Sequence, residues 1–162
     1  MNPDLEGSPQ DVEIEETRYI VYRIGDASFA SPLLTITEIV DPLPYCYVPN
    51  EHEYFLGLAN LRGQIIGVID LGLRFGMASS NEKEAGVLLI FEHDGATLGA
   101  LVSGVESAIS LRPEEIVNEE PVSHAVPEEA YIGVARMTDR ILPIISLVRL
   151  VHIVGPSLNY GS

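Results

Sequence analysis

The chain has 162 residues, of which 46% are hydrophobic, and its 24 acidic and 9 basic residues give a formal net charge of -15. This length and apolar content suit one compact domain or two very small ones, while the negative charge disfavours nucleic acid as a partner. The single cysteine, Cys46, excludes an internal disulfide, and no apolar run approaches the ~20 residues that cross a bilayer, so we expect a cytoplasmic protein without membrane insertion.

The chain begins with an acidic segment at residues 1–16 that contains two prolines and is expected to be a disordered tail. After it, short runs rich in Val, Ile, Leu, Tyr and Phe alternate with Gly, Asp, Asn and Pro, which predicts a mainly β fold. Strands are predicted at 19–24, 27–30, 36–41, 54–61, 64–70, 87–92, 97–103, 106–111, 131–137 and 140–146. Short helical turns are predicted at 71–75, 113–116 and 147–151, and a flexible C-terminus at 153–162.

The sequence contains an internal repeat. Residues 54–71 run parallel to residues 130–147 at an offset of 76, and the first hairpin repeats at an offset of 69, so that Phe29 corresponds to Leu98 and Ile36 to Val105. We therefore predict a single domain at 17–152 made of two halves, about 17–80 and 85–152. Each half is expected to be a five-stranded barrel, because an open sheet would leave exposed edges. An exchange of terminal elements between the halves is left open, and their seam is expected to form an apolar groove.

The run GLANLRG at 57–63, followed by VIDL at 68–71, resembles the G-x-x-N-L-R-G and ϕ-ϕ-D-L signature of CheW-like domains, where ϕ is an apolar residue. Its motif residues with an expected structural role are Gly57, Asn60, Gly63 and Asp70. The resemblance covers residues 18–152. It implies two SH3-like barrels, no catalysis and no cofactor. It also implies simultaneous binding to the cytoplasmic tip of chemoreceptors and to the regulatory domain of a CheA-type histidine kinase, with recruitment to receptor arrays at the inner face of the membrane.

The resemblance also assigns candidate partner-binding residues. Glu38 and Arg62 fall on acidic and basic family positions that are expected to pair. If the pair is exposed, it would contribute less than ~1 kcal/mol to the stability of the fold. If it is partly buried, breaking it would cost roughly 3–5 kcal/mol. The sequence leaves both alternatives open. The expected receptor groove consists of these two residues together with Ile36, Val105 and Ala108. Val122 falls on a position that the family uses against the kinase regulatory domain.

Two other readings compete with this one. The chain departs from the family's usual residues at Gly67, Ser103 and Ser146, which keeps open a CheW-like adaptor of another chemosensory system, such as one for type IV pili or gliding. A small β-barrel enzyme using His52 or His93 with neighbouring carboxylates is the second rival. The sequence does not support this second rival, because it contains no nucleophile motif, no Gly-rich phosphate loop and no pair of histidines at metal-ligand spacing.

Overall fold

The computed structural model describes residues 15–49, 52–79, 86–118 and 126–154, with side chains as far as residue 151. Its regular elements in chain order are β1 (Thr17–Ile24), β2 (Ala27–Pro32), β3 (Ile36–Val40), β4 (Tyr45–Cys46), β5 (Phe55–Leu61), β6 (Gln64–Asp70), α1 (Leu71–Arg74), β7 (Val87–His93), β8 (Ala96–Val102), β9 (Gly104–Leu111), β10 (Ile116–Val117), β11 (Tyr131–Arg136), β12 (Ile141–Ile145) and α2 (Leu147–Val154). Single 3-10 turns lie at Leu33–Thr35, Pro113–Glu115 and Glu128–Ala130.

The strands form two six-stranded sheets. Sheet I has the order β3-β7-β8-β6-β5-β4, and sheet II has the order β10-β11-β12-β2-β1-β9. Each sheet takes four strands from one half of the chain and a hairpin from the other half, because β7 and β8 join sheet I while β1 and β2 join sheet II. A parallel pairing attaches each hairpin, β6 with β8 and β12 with β2.

The two sheets repeat each other in detail. Strands β1–β6 and helix α1 correspond one for one to β7–β12 and α2, and the sheet orders coincide when they are read from β4 and from β10. The irregularities coincide too: the register of β5 with β6 shifts between Phe55 and Gly57, and that of β11 with β12 shifts between Tyr131 and Gly133. A bulge is a specified feature of a strand, so the repeat at an offset of 76 extends to backbone detail.

Three apolar clusters hold the sheets together. One lies within sheet I and includes Leu61 and Ile66, and one lies within sheet II and includes Val21 and Leu142. The largest cluster draws on both sheets and both helices, with Tyr22, Phe55, Phe75 and Phe91 among its buried members. Because β1 places Val21 in one cluster and Tyr22 in another, both of its faces are buried, which accounts for its nearly continuous apolar sequence.

A packed core therefore joins the two sheets in the interior. A buried polar link reinforces this core where β2 meets β12. The Tyr22 hydroxyl lies 2.9 Å from Ser31 Oγ, which in turn donates to the Ile145 carbonyl over 2.7 Å. Burial raises the pKa of Tyr22, and its hydrogen bond with Ser31 opposes that rise. The link satisfies polar groups that would otherwise be costly in an apolar interior.

The mainly β fold with two repeated halves is confirmed, and each half adds a sixth, two-residue strand to the five expected. These strands, β4 and β10, fall in stretches that the sequence assigned to a loop and to a helical turn. Cys46, which falls between the predicted strands 36–41 and 54–61, is exposed and lies in β4. Most of the predicted acidic tail, 1–14, and the C-terminal residues 155–162 lie outside the described residues. No described helix is long and apolar enough to span a membrane.

Candidate functional site

The hairpin between β5 and β6 presents Arg62 at its tip. Leu61 pairs with Gln64, so the loop consists of Arg62 and Gly63, whose φ angles of 52° and 90° are those of a type I′ turn. The Asn60 side chain accepts a hydrogen bond from the Gly63 backbone N–H over 2.7 Å. Glycine accepts this left-handed geometry without strain, and the Asn60 bond supports the turn. Asn60 and Gly63 thus fix the backbone from which Arg62 projects.

Arg62 forms an ion pair with Glu38 of β3, in which the guanidinium donates to Glu38 Oε2. The Arg62 side chain is 66% exposed and that of Glu38 is 35% exposed. The exposed alternative that the sequence left open is therefore the one that occurs, and such pairs contribute less than ~1 kcal/mol to stability. The pair joins the hairpin tip to an edge strand of sheet I while leaving both charged groups accessible to a partner.

Sheet II carries a comparable pair close to the corresponding place, although the repeat matches Arg140 to Gln64 and not to Arg62. Arg140, which precedes β12, donates to Glu106 of β9 over 3.0 Å and to Ser28 Oγ over 3.1 Å, and Ser28 also donates to Glu106 over 2.9 Å. Burial acts to raise the pKa of Glu106, but the bonds from Ser28 and Arg140 and the charges of Arg140 and Arg23 lower it overall. In each sheet, an arginine at or beside a hairpin turn thus contacts a glutamate of an edge strand.

The remaining residues of the predicted receptor groove lie in different environments. Ile36 is 9% exposed and belongs to the large shared core, and Val105 is partly buried against the same core. Ala108 is exposed on β9 of sheet II, opposite Ile20 of β1. The structure therefore brings Glu38 and Arg62 into contact and places Ile36 inside. Val122 lies outside the described residues.

Two further motif residues have structural roles. A Cβ atom on Gly57, where φ is 147°, would lie 2.0 Å from the Cys46 carbonyl oxygen, so only glycine allows β4 to approach β5 this closely. Asp70 is fully buried and accepts hydrogen bonds from the Leu73 N–H over 3.1 Å and from the Ser79 hydroxyl over 2.6 Å. Asp70 is therefore the N-cap of α1.

The three departures from the family pattern also have local structural partners. Ser103 Oγ accepts a hydrogen bond from the Gly25 N–H over 2.8 Å, and Ser146 Oγ accepts one from the Arg149 N–H over 3.2 Å at the start of α2. A Cβ on Gly67 would lie 3.1 Å from both Leu98 and Phe55, so this position favours a small residue. Each of the three residues thus has a contact or a packing constraint within the domain.

The residues of the enzyme reading have ordinary structural neighbours. The His52 ring stacks on Tyr54 with 5.0 Å between ring centroids, and His93 Nε2 lies 3.3 Å from Asp94 beside a tight turn. Within the described ranges, no three His, Cys, Asp or Glu side chains are grouped closely enough to hold a metal ion.

Exposed apolar side chains near the hairpin tips escaped the sequence analysis. Ile65 is 60% exposed beside the Arg62 turn, and Ile141, its counterpart at an offset of 76, is 46% exposed beside Arg140. Both residues stand in the first two positions of a strand just after a turn, and the residues that follow them in each strand are buried. The pattern alone could not separate these outward-facing isoleucines from the inward-facing ones.

The comparisons with known proteins agree with this architecture. The family model described as CheW-like domain matches residues 18–155. The chain belongs to the CheW-like domain family. A chemotaxis protein CheW from Helicobacter pylori is 30% identical over 141 residues, which cover 86% of this chain and 84% of that protein. A probable chemotaxis protein CheW from Rhizobium etli is 28% identical over 131 residues, which cover 81% and 84% of the two chains.

A solved structure shows the same CheW-like fold. The crystal structure of the scaffolding protein TtCheW from Thermoanaerobacter tengcongensis matches with a TM-score of 0.75 and 26% identity, covering 84% of this chain and 92% of that one. Family membership makes this chain a chemotaxis adaptor that couples receptors to the kinase CheA, and the family's members are scaffolds and not enzymes. The competing enzyme reading is therefore set aside.

Proposed function

We propose that this CheW-like chain binds the cytoplasmic tip of a chemoreceptor through the surface around the Glu38–Arg62 pair, and the regulatory domain of the kinase through its second half. The exposed Glu38–Arg62 ion pair is the observation that supports the proposed receptor-binding surface. A rigid turn holds Arg62 at the surface, and the pair contributes too little to stability to explain its presence by folding alone. Exposed Ile65 beside it offers apolar contact area.

The burial of Ile36 limits the role that its side chain can have in receptor binding. Since Ile36 packs in the shared core two residues before Glu38 on β3, it positions the strand that carries the carboxylate. Val105 holds the corresponding place on β9 of sheet II, and Ala108 is exposed farther along that strand. In this proposal Glu38 and Arg62 make polar contacts with the receptor, Ala108 adds a small apolar contact, and Ile36 and Val105 support the two strands.

The kinase part of the proposal rests on the family resemblance at Val122, which lies in the connection between β10 and β11. Binding of both partners would recruit the chain to receptor arrays at the cytoplasmic face of the membrane. A CheW-like adaptor of another chemosensory system would use the same surfaces with a different receptor and kinase. The departures at Gly67, Ser103 and Ser146 do not distinguish the two kinds of system.

The test compares two arginines, one in each sheet, that make similar ion pairs. Arg62→Ala and Arg140→Ala each remove an exposed arginine that bridges a hairpin to an edge-strand glutamate. Capture of a receptor-tip fragment and of the kinase regulatory domain from the same organism is measured for both variants and for the unaltered chain. Circular dichroism checks that each variant folds.

We expect Arg62→Ala to weaken receptor capture roughly tenfold or more, as for a residue at the centre of an interface, and to leave kinase capture unchanged. Arg140→Ala should retain both partners. Equal receptor capture by all three folded proteins would exclude the Glu38–Arg62 surface as the receptor site. Capture of neither partner by the unaltered chain would contradict the coupling proposal as a whole.

A further inference from the structure

A side-chain hydrogen bond ties the Arg62 turn to the other half of the chain. Gln64, the first residue of β6, donates from its side-chain amide to the Thr97 hydroxyl of β8 over 2.7 Å. Thr97 is only 8% exposed, whereas Gln64 lies at the surface. Gln64 directly follows the two turn residues, Arg62 and Gly63. The bond therefore anchors the end of the turn to a buried group of a neighbouring strand.

The strand that carries Thr97 belongs to the hairpin that also supports Glu38. Glu38 lies on β3, which pairs with β7, and β7 pairs in turn with β8. The Arg62 turn thus contacts one continuous unit, β3-β7-β8, at two points, the ion pair with Glu38 and the hydrogen bond between Gln64 and Thr97. An exposed ion pair between two flexible side chains is weak. The second contact, to a buried hydroxyl, restricts the orientation of the turn further.

Sheet II repeats this hydrogen bond but divides the contacts differently. At the offsets of 76 and 69, Gln64 corresponds to Arg140 and Thr97 corresponds to Ser28. Arg140 donates to Ser28 Oγ over 3.1 Å, as Gln64 donates to Thr97, and it also donates to Glu106 over 3.0 Å. In sheet II one arginine therefore makes both the hydrogen bond and the ion pair.

In sheet I these two contacts come from two residues, which leaves the arginine more accessible. The side chain of Arg62 is 66% exposed, compared with 37% for Arg140. Gln64 is uncharged, so it makes the hydrogen bond without competing with Arg62 for the carboxylate of Glu38. Gln64 thus holds the turn, while the guanidinium of Arg62 stays at the surface beside Glu38.

We propose that Gln64 and Thr97 are positioning residues for receptor binding, and that their hydrogen bond holds the turn in the orientation in which Arg62 meets the receptor. This proposal rests on the proposed function of the Glu38–Arg62 surface and adds two residues to it. A group that is already ordered loses less conformational freedom when a partner binds, so the bond strengthens receptor binding. Because Thr97 is buried, it acts through Gln64 and Arg62 and not through a receptor contact of its own.

The experiment measures the affinity of the full chain for the receptor-tip fragment by isothermal titration calorimetry. Thr97→Val removes the hydroxyl and keeps the branched shape, whereas Thr97→Ser keeps the hydroxyl. We expect Thr97→Val to bind the receptor roughly three- to tenfold more weakly, as for the loss of one hydrogen bond, and Thr97→Ser to stay within about twofold of the unaltered chain. Gln64→Leu removes the donor and should reproduce the loss. Ser28→Ala removes the corresponding hydroxyl of sheet II and should leave receptor affinity unchanged.

Two further measurements show whether Thr97 acts through Arg62. In a chain that already carries Arg62→Ala, Thr97→Val should cause no further loss of receptor affinity, because the group that the bond positions is gone. NMR relaxation of the ¹⁵N-labelled Arg62 side chain, which needs no receptor, reports its mobility on the picosecond-to-nanosecond timescale. We expect the order parameter of the Arg62 Nε–H group to fall in Thr97→Val and Gln64→Leu and to be retained in Thr97→Ser.

Several results would overturn the positioning role once circular dichroism shows that the variants fold. They are an unchanged receptor affinity in Thr97→Val, an equal loss with and without Arg62, and an equal loss in Thr97→Ser, which would assign the effect to packing. If the unaltered chain does not bind the receptor fragment, the proposed function fails. The Arg62 order parameter then decides the positioning role by itself, and an unchanged value in Thr97→Val and Gln64→Leu overturns it.

Discussion

Glu106 couples the stability of the chain to pH. Burial acts to raise its pKa, but the Ser28 and Arg140 hydrogen bonds and the charges of Arg140 and Arg23 lower it below the ordinary value for a glutamate. A carboxylate with a lowered pKa in the folded state stabilises the fold above its unfolded pKa, and this contribution is lost as the pH falls through the folded pKa.

We therefore expect Glu106→Gln to lose less stability than the unaltered chain when the pH falls from about 6 to about 3. The difference should stay below ~1 kcal/mol, because the pair lies at the surface and solvent screens it. Urea unfolding at several pH values measures it. Arg140→Ala removes the partner and should flatten the same pH dependence, so an unchanged pH dependence in both variants would show that this ion pair is not formed.

At the scale of the element, the bulge at Gly57 is the point where β4 joins sheet I. An alanine there would place its Cβ 2.0 Å from the Cys46 carbonyl and would adopt a φ of 147° that side chains disfavour. Gly63 also has a positive φ, but nothing lies within 4 Å of an added Cβ. Alanine substitutions at these two glycines therefore distinguish the free-energy cost of a steric clash from that of backbone strain.

We expect Gly63→Ala to lower the free energy of unfolding by about 1–2 kcal/mol, the cost of a strained backbone position. Gly57→Ala should cost more than about 3 kcal/mol, because the strain is joined by a clash with backbone atoms that cannot move independently. Chemical unfolding of both variants provides the comparison. If the two alanines cost the same, the close approach of β4 to Gly57 does not contribute.

The sequence predicted ten of the twelve described strands, because each has at least five residues with a β pattern and clear turn residues at its ends. It missed β4 and β10, whose two residues are too short for any periodicity. The side-chain positions were harder to predict. The run that contains Val21 and Tyr22 is apolar on both faces, so its pattern could not show which face enters the shared core. Ile36 came into the predicted receptor groove through the family resemblance, which does not show that its side chain packs in the shared core.

The candidate site was only partly visible in the sequence. The pairing of Glu38 with Arg62 came from the family resemblance, since 24 residues separate them and no local rule joins a strand to a later turn.

At the scale of the whole molecule, the exchanged hairpins make each half depend on the other. Sheet I lacks its β7 and β8 strands without the second half, and sheet II lacks β1 and β2 without the first. We expect fragments 1–84 and 85–162 to be unfolded when each is alone and to regain a dispersed NMR spectrum when mixed. A cooperative thermal transition in either isolated fragment would contradict this, and would indicate that a hairpin can take the equivalent place in its own half.

The central claim is that this CheW-like adaptor binds a receptor and a kinase at the same time through different surfaces. Sedimentation of the receptor-tip fragment and the kinase regulatory domain, with and without the full chain, tests it most directly. We predict a ternary complex that forms only when the chain is present and that Arg62→Ala reduces to the binary complex with the kinase domain. Mutually exclusive binding of the two partners would contradict the account, because one surface would then serve both.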